Sequence, residues 1–232
     1  MGRYVVTEPR SDKAVWVGSA FFEKFITAPA RAQNKLAACF AGSDAVKDNV
    51  WAVMRKEKGL IITGVGHGNE DVFTGDGMRE IFRTCTVPDD VIRGQHVTHL
   101  SCTTGARLGP DLVNKGAIHF SGYKDTYWFM YNDAPDPTKD TYAVDFMEPD
   151  MLKEAYEIDG VSAKDAFNNA MIEYDKRAAK WDKINAEVAR FIRWDRSIAV
   201  FIEEETPPEP PVEDWICRLL KWLMEALKCE GA

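Results

Sequence analysis

The chain has 232 residues, 45% of them hydrophobic and 28% charged, with a formal net charge of −8. That length supports one full core with a short appendage, and the acidic balance argues against general nucleic-acid binding while mildly favouring basic substrates or partners. No run of 18 apolar residues occurs and Met1-Gly2-Arg3-Tyr4 opens no apolar leader, so neither a membrane span nor a signal peptide is expected. Cys39, Cys85, Cys102, Cys217 and Cys229 are widely spaced, odd in number and form no CxxC. They read as free thiols in a reducing cytoplasm.

Residues 1–13 are polar and broken by Pro9, and read as an N-terminal arm. Ala14-Val15-Trp16-Val17-Gly18 reads as a first strand. Residues 21–40 show near-helical apolar spacing, interrupted at Pro29. Gly42-Ser43-Asp44 signals the cap of a second helix, roughly 44–57, with Val50, Trp51 and Met54 along one side. Leu60-Ile61-Ile62-Thr63-Gly64-Val65-Gly66-His67-Gly68 is an apolar run that ends in glycines around one histidine. The Gly- and acid-rich stretch 68–77 predicts an exposed loop or small hairpin, 78–83 a helical turn, and Pro88-Asp89-Asp90 a short helix start.

A second strand-like run, 97–102, ends abruptly on Cys102. Thr103-Thr104-Gly105 then turns into a helix, about 106–115, closed by Gly116. Residues 117–123 predict another strand. Residues 124–150 read as a long, aromatic and acidic loop, 162–194 as one or two helices capped by Ser162, and 198–202 as a final strand. Strand–helix alternation over the first 123 residues predicts an α/β fold with a mostly parallel sheet and helices on both faces. One domain is therefore expected over 14–202. After it, 203–211 is a stiff, acidic, Pro-rich linker. Residues 212–232 carry an amphipathic helix with Trp215, Leu219 and Trp222 on its apolar side, which needs a surface to cover it: the domain first, then a protein partner, and last a membrane, which is not expected.

Two strands that each deliver one reactive side chain at a C-terminal end are how an open α/β sheet builds a site. A histidine beside a cysteine lowers the thiol pKa and returns the proton to a leaving amine. His67 and Cys102 are thus candidate general base and nucleophile. The N–H groups of Gly68 and Cys102 are candidate oxyanion donors, each worth about 3 kcal/mol. The pattern implies no metal or cofactor. His96, His99 and Cys102 have zinc-ligand chemistry, but alternation along a strand puts His99 on the opposite face from the other two. Gly64-Val65-Gly66-His67-Gly68-Asn69 is not the GxGxxG of a dinucleotide site. His99 and His119 are read as satisfied core or interface histidines.

Gly66-His67-Gly68 at one strand end, Leu100-Ser101-Cys102-Thr103-Thr104-Gly105 at the next, and Gly116-Ala117-Ile118-His119-Phe120-Ser121-Gly122-Tyr123 after a helix resemble the caspase-like (clan CD) cysteine peptidases. The gingipain-like and CHAT-type branches are the most similar in these blocks. The resemblance covers residues 59–123 and, more weakly, extends to 202. It implies a caspase-like sheet, endopeptidase activity on protein or peptide substrates, His67 as general base and acid, Cys102 as nucleophile and Gly68 as oxyanion donor. The acid that some branches place just before the cysteine is absent here, where Leu100 and Ser101 stand. Glu70, Asp71, Asp125 and Asp133 are the remaining candidates to line a pocket for a basic residue before the scissile bond (P1). Self-processing at 124–150 or 203–211 is a further expectation. The alternative is a catalytically inactive or regulated caspase-like module that recruits a partner within a larger assembly.

Overall fold

The computed structural model describes residues 2–203 except Asp133. The expected linker and C-terminal helix therefore lie outside the described residues, apart from Glu203. Strand β1 (Tyr4–Glu8) is buried along its whole length. This corrects the reading of residues 1–13 as an arm. Tyr4 and Val6 enter one apolar cluster and Val5 the opposite one, as a strand covered on both faces requires. The polar end that disguised it is paired internally, with Thr27 Oγ1 donating to Glu8 Oε1 at 2.5 Å.

The expected strand at 14–18 is helix α1 (Lys13–Phe22). Asp12 caps it, its carboxylate accepting from Ala14 N and Val15 N. Gly18 lets the helix sit close on the sheet, because a Cβ there would lie 2.7 Å from Val65 Cγ2. The helical path continues through a π-turn into α2 (Ala28–Ala32), with Pro29 just past the switch from π to α geometry. It stops well short of residue 40, because Leu36–Ala41 forms strand β2.

Helix α3 (Lys47–Lys56) and strand β3 (Ile61–Val65) follow as expected. Strands β4 (Val72–Thr74) and β5 (Glu80–Arg83) form an antiparallel hairpin. The helical turn expected at 78–83 is thus mostly strand, since Ile81 and Phe82 must reach the core. Helix α4 (Asp89–Ile92), strand β6 (His96–Leu100), helix α5 (Leu108–Asn114) and strand β7 (His119–Tyr123) continue the alternation. Asp140 then caps helix α6 (Thr141–Ile158) through Tyr142 N and Ala143 N. The expected loop to residue 150 therefore ends ten residues early. Pro149 lies inside the helix, where burial of Phe146, Met147 and Met151 offsets the lost hydrogen bond. Helices α7 (Ala163–Trp181) and α8 (Ala186–Ile198) precede the last described strand, β8 (Ala199–Glu203).

The main sheet has the order β2-β1-β3-β6-β7-β8. All its pairings are parallel except β7 with β8. Helices α1 and α6 cover one face through Val17, Phe21, Met147 and Met151. The other face is covered by α3, α5 and the β4–β5 hairpin. Helices α7 and α8 pack outside α6 in a third cluster around Tyr174 and Ile192. No described helix is long and apolar enough to cross a membrane.

Ionisable groups lie beneath the sheet on α6. Lys153 Nζ is 2.5 Å from Asp150 Oδ1, Tyr123 OH donates to Asp150, and Thr63 Oγ1 donates to Glu154 Oε1 at 2.9 Å. Burial raises the pKa of Glu154, and raises that of Glu157 from an ordinary 4.5 to about 7, with nearby Lys153 offsetting part of the effect. A carboxyl whose folded-state pKa is raised supplies stability below its unfolded pKa and loses it as pH climbs through the folded value. Glu157→Gln is therefore expected to gain stability relative to wild type on going from pH 5 to pH 8, as urea unfolding midpoints will record; a gap between the two proteins that is independent of pH would refute this.

Candidate active site

Strands β3 and β6 pair in parallel, with Val65 opposite Leu100. Both chains leave the sheet at that level, and Gly66 N still donates to Leu100 O at 3.2 Å. His67 and Cys102 each lie two residues beyond the last pair. Adjacent strands run about 4.8 Å apart, so the pairing delivers both side chains to one rim. They line a common cavity of about 190 Å³.

Glycine makes the approach of the two turns possible. A Cβ on Gly68 would lie 2.2 Å from Ser101 Oγ, 2.8 Å from Thr104 Cγ2 and 2.9 Å from Cys102 O. The histidine turn therefore rests directly on the cysteine turn. Gly68 opposes Phe73 in a bridge whose two hydrogen bonds are Thr74 N to His67 O and Asn69 N to Val72 O. In such a pair the Gly68 N–H points away from the hairpin. Past the cysteine, Thr103 has φ +54, a left-handed conformation uncommon for a β-branched residue. Its N–H bonds Asp125 O at 3.0 Å, which ties the cysteine turn to the segment after β7.

The histidine has a partner that the sequence reading missed. His67 Nε2 is 2.7 Å from Asp12 Oδ2, while the other Asp12 oxygen caps α1. Burial acts to raise the Asp12 pKa, but the hydrogen bonds from His67 and from the two backbone N–H groups outweigh it and hold the carboxyl below its ordinary value. Ionised Asp12 can only accept, so Nε2 carries the hydrogen and Nδ1 is the free basic nitrogen of the neutral ring. Both side chains are about two-fifths exposed, at 39% and 41%. The pair therefore contributes on the order of 1 kcal/mol or less to stability, and its main effect is to fix the ring. An aspartate just before a helical pattern was the available signal, lost because 14–18 read as a strand.

Cys102 is half-buried and its thiol points to Tyr127 O at 3.9 Å. Burial pushes the thiol pKa up, and Asp195 and Asp125, when ionised, push it the same way. Cys39 is raised further, to about 12, by burial and neighbouring Glu8 and Glu23. Cys85 is exposed. Among the described thiols, Cys102 is the one that shares a cavity with a histidine.

The candidate pocket acids are placed elsewhere. Arg107 reaches Asp71 at 3.3 Å and Glu70 at 4.0 Å. The exposed Asp125 carboxylate accepts from Thr126 N at 2.6 Å. None of these three lines the cavity shared by His67 and Cys102. Asp133 lies outside the described residues. A carboxyl that sequence reasoning missed, Asp195 on α8, is fully buried and accepts from Trp128 N at 2.8 Å. With Trp194 Nε1 donating to Thr126 O at 2.9 Å, it pins the segment that walls the cavity.

No protein-family model matches the chain, and no curated protein matches it.

The other histidines are not at this rim. His99 is buried and stacks on Phe73, with ring centroids 3.8 Å apart. Neither ring nitrogen has a hydrogen-bond partner, so the expectation of a satisfied core histidine is corrected. Burial lowers its pKa to about 3, which keeps the ring neutral. His119 is buried too, with Nδ1 3.2 Å from His96 Nδ1 and Nε2 unpartnered.

Gly68→Ala tests the contact between the two turns. The forced separation from Ser101 and Thr104 is expected to cost about 2–4 kcal/mol in urea unfolding; a loss under about 0.5 kcal/mol would show that the turns are not in contact.

Proposed function

We propose that the protein is a cysteine endopeptidase of caspase-like type, acting on protein or peptide substrates in a reducing cytoplasmic setting. The observation that carries this reading is the register of β3 on β6, which sets His67 and Cys102 in one cavity, with Asp12 fixing the imidazole. In the proposed reaction His67 Nδ1 takes the Cys102 thiol proton, and the thiolate attacks the peptide carbonyl carbon. The oxyanion forms against the N–H groups of Gly68 and Cys102. The protonated His67 then gives its proton to the departing amine, leaving an acyl-thioester. Water, deprotonated by His67, releases the acid and restores the thiol.

Two further cavities adjoin the one shared by His67 and Cys102 through common lining residues and give room for a chain substrate longer than one residue. One of about 230 Å³ shares His67 and is walled by the hairpin residues Val72 and Glu80. Another of about 460 Å³ shares Phe129 and reaches Tyr142 and Asn185. The acidic net charge fits basic segments in such substrates.

One observation favours the second reading, a non-catalytic or regulated interaction module. Burial and the neighbouring carboxylates hold Cys102 toward the thiol form, opposite to what a constitutive nucleophile needs.

Iodoacetamide labelling separates the two. If His67 activates the thiol, Cys102 reacts faster than exposed Cys85, His67→Ala slows it at least tenfold, and Asp12→Asn, which keeps the helix cap, slows it by a smaller factor. Equal rates at Cys102 and Cys85 in wild type, unchanged by His67→Ala, would reject the peptidase. The same chemistry applied to the chain itself predicts fragments of wild type on storage and none from Cys102→Ala; identical gels would reject self-processing.

A further inference from the structure

The cavity beside Cys102 has walls that restrict what can enter it. Its lining includes Val15 from α1, Val65 and Leu100 from the strand ends, Met147 from α6, and Tyr127 and Phe129 from the segment after β7. Val15, Val65, Leu100, Tyr127 and Met147 are all buried within the fold. The cavity is therefore already formed and needs no rearrangement to receive a side chain. No carboxylate, ammonium or guanidinium lines it.

We propose that this cavity is the P1 subsite and that it selects an uncharged apolar side chain of leucine, methionine or phenylalanine size. The inference rests on the peptidase reading above and names its substrate class. Proximity fixes the position: the cavity is shared with the nucleophile and the base, so the side chain that fills it belongs to the residue whose carbonyl Cys102 attacks. Size follows from volume, since an apolar cavity of about 150 Å³ holds benzene and this one measures about 190 Å³.

Charge follows from the missing counter-ion. A lysine or arginine head inside would be desolvated without a carboxylate to meet it. Glu70 and Asp71 face Arg107 outside the cavity, and Asp125 is exposed at the Thr126 turn. Asp195 is close enough for Cys102 to feel its charge, but it lies behind the wall, bonded to Trp128 N, and burial raises its pKa well above the ordinary value. An aspartate or glutamate at P1 finds no lysine or arginine in the lining either. This chain therefore differs from an enzyme built for basic residues, although its overall charge is negative. The acidic surface acts on the flanking parts of the substrate, and the apolar cavity acts on the bond that is cut.

The experiment is cleavage of fluorogenic peptides by the full-length chain, with Leu, Met, Phe, Ala, Arg, Lys or Asp at P1 and the rest constant. It is run beside mass spectrometry of Cys102 adducts with peptidyl chloromethyl ketones bearing the same residues. The expected kcat/KM for Leu, Met and Phe exceeds that for Ala at least tenfold and those for Arg, Lys and Asp at least a hundredfold, and adduct rates follow the same order. Ala14 lines the mouth of the cavity and is partly exposed. Ala14→Phe should fill the mouth and shift preference at least tenfold toward Ala at P1. Phe129→Ala should widen it toward Trp, which gives a second reading if the first variant folds poorly. Preference for Arg, Lys or Asp, or equal cleavage of all seven, would overturn the inference while leaving the peptidase standing. A preference for Arg or Lys that Asp195→Asn abolishes would assign the selecting carboxylate. No cleavage of any peptide, together with no ketone adduct on Cys102, would remove the peptidase reading and this inference with it.

Discussion

The pairing of Val65 with Leu100 is the constraint on which the candidate site depends. Side chains on a strand alternate with a period of two, so a slip of one residue would carry every apolar group of β3 to the wrong face. Ile62 and Val97 belong to the cluster under α3 and α5, while Ile61, Val65 and Leu100 belong to the cluster under α1 and α6. The two-sided core thereby enforces the register, and the register in turn sets the distance from sheet edge to His67 and to Cys102 at two residues each. Gly68 completes the arrangement. It carries no Cβ where Ser101 Oγ and the Cys102 carbonyl stand, so the two turns close on one another above the sheet.

Electrostatics at this rim work in opposite directions. Asp12 holds His67 through a partly exposed bond, which orders the ring at little cost in solvation. Cys102 lies deeper, and burial together with Asp195 and Asp125 favours its neutral form. Substrate filling the cavity would exclude water from both groups, which strengthens the attraction between thiolate and imidazolium and raises the desolvation cost of each charge. The burial that enforces the neutral thiol also builds the apolar cavity. Opening the cavity to water would ease the ionisation and remove the apolar surface.

Much of the sheet was legible in the residues, and the exceptions have physical causes. The glycines around His67, the abrupt end at Cys102 and the closing Gly116, with φ +97, all mark strand or helix ends by local chemistry. The candidate pair stands out in the sequence because each member sits at such an end. Strand β1 was hidden because five residues suffice for a central strand and two of them, Thr7 and Glu8, are polar. Helix α1 looked like a strand because Val15 and Val17 alternate with Trp16 and Ala14. What identifies it as helix is Asp12, whose capping bonds are visible only in three dimensions. Pro149 suggested a loop, yet the helix persists because tertiary burial outweighs one lost backbone bond. The pocket acids were chosen by proximity in sequence, whereas Arg107, from a different loop, decides where Glu70 and Asp71 point.

The strand order carries a consequence for how the molecule assembles. Once β1 and β2 have paired, β3, β6, β7 and β8 are each added at the same growing edge, in the order in which they occur in the chain. A nascent polypeptide leaving the ribosome can therefore zip its sheet from one side, with each new strand meeting an edge already in place. Asp12 and His67 emerge before the strand that carries the cysteine. The site is completed when β6 docks, and the cavity is closed by Tyr127, Phe129 and Met147, which are synthesised later still. Between the docking of β6 and the arrival of Tyr127, Phe129 and Met147, the rim thus carries only the Val15, Val65 and Leu100 part of its apolar wall.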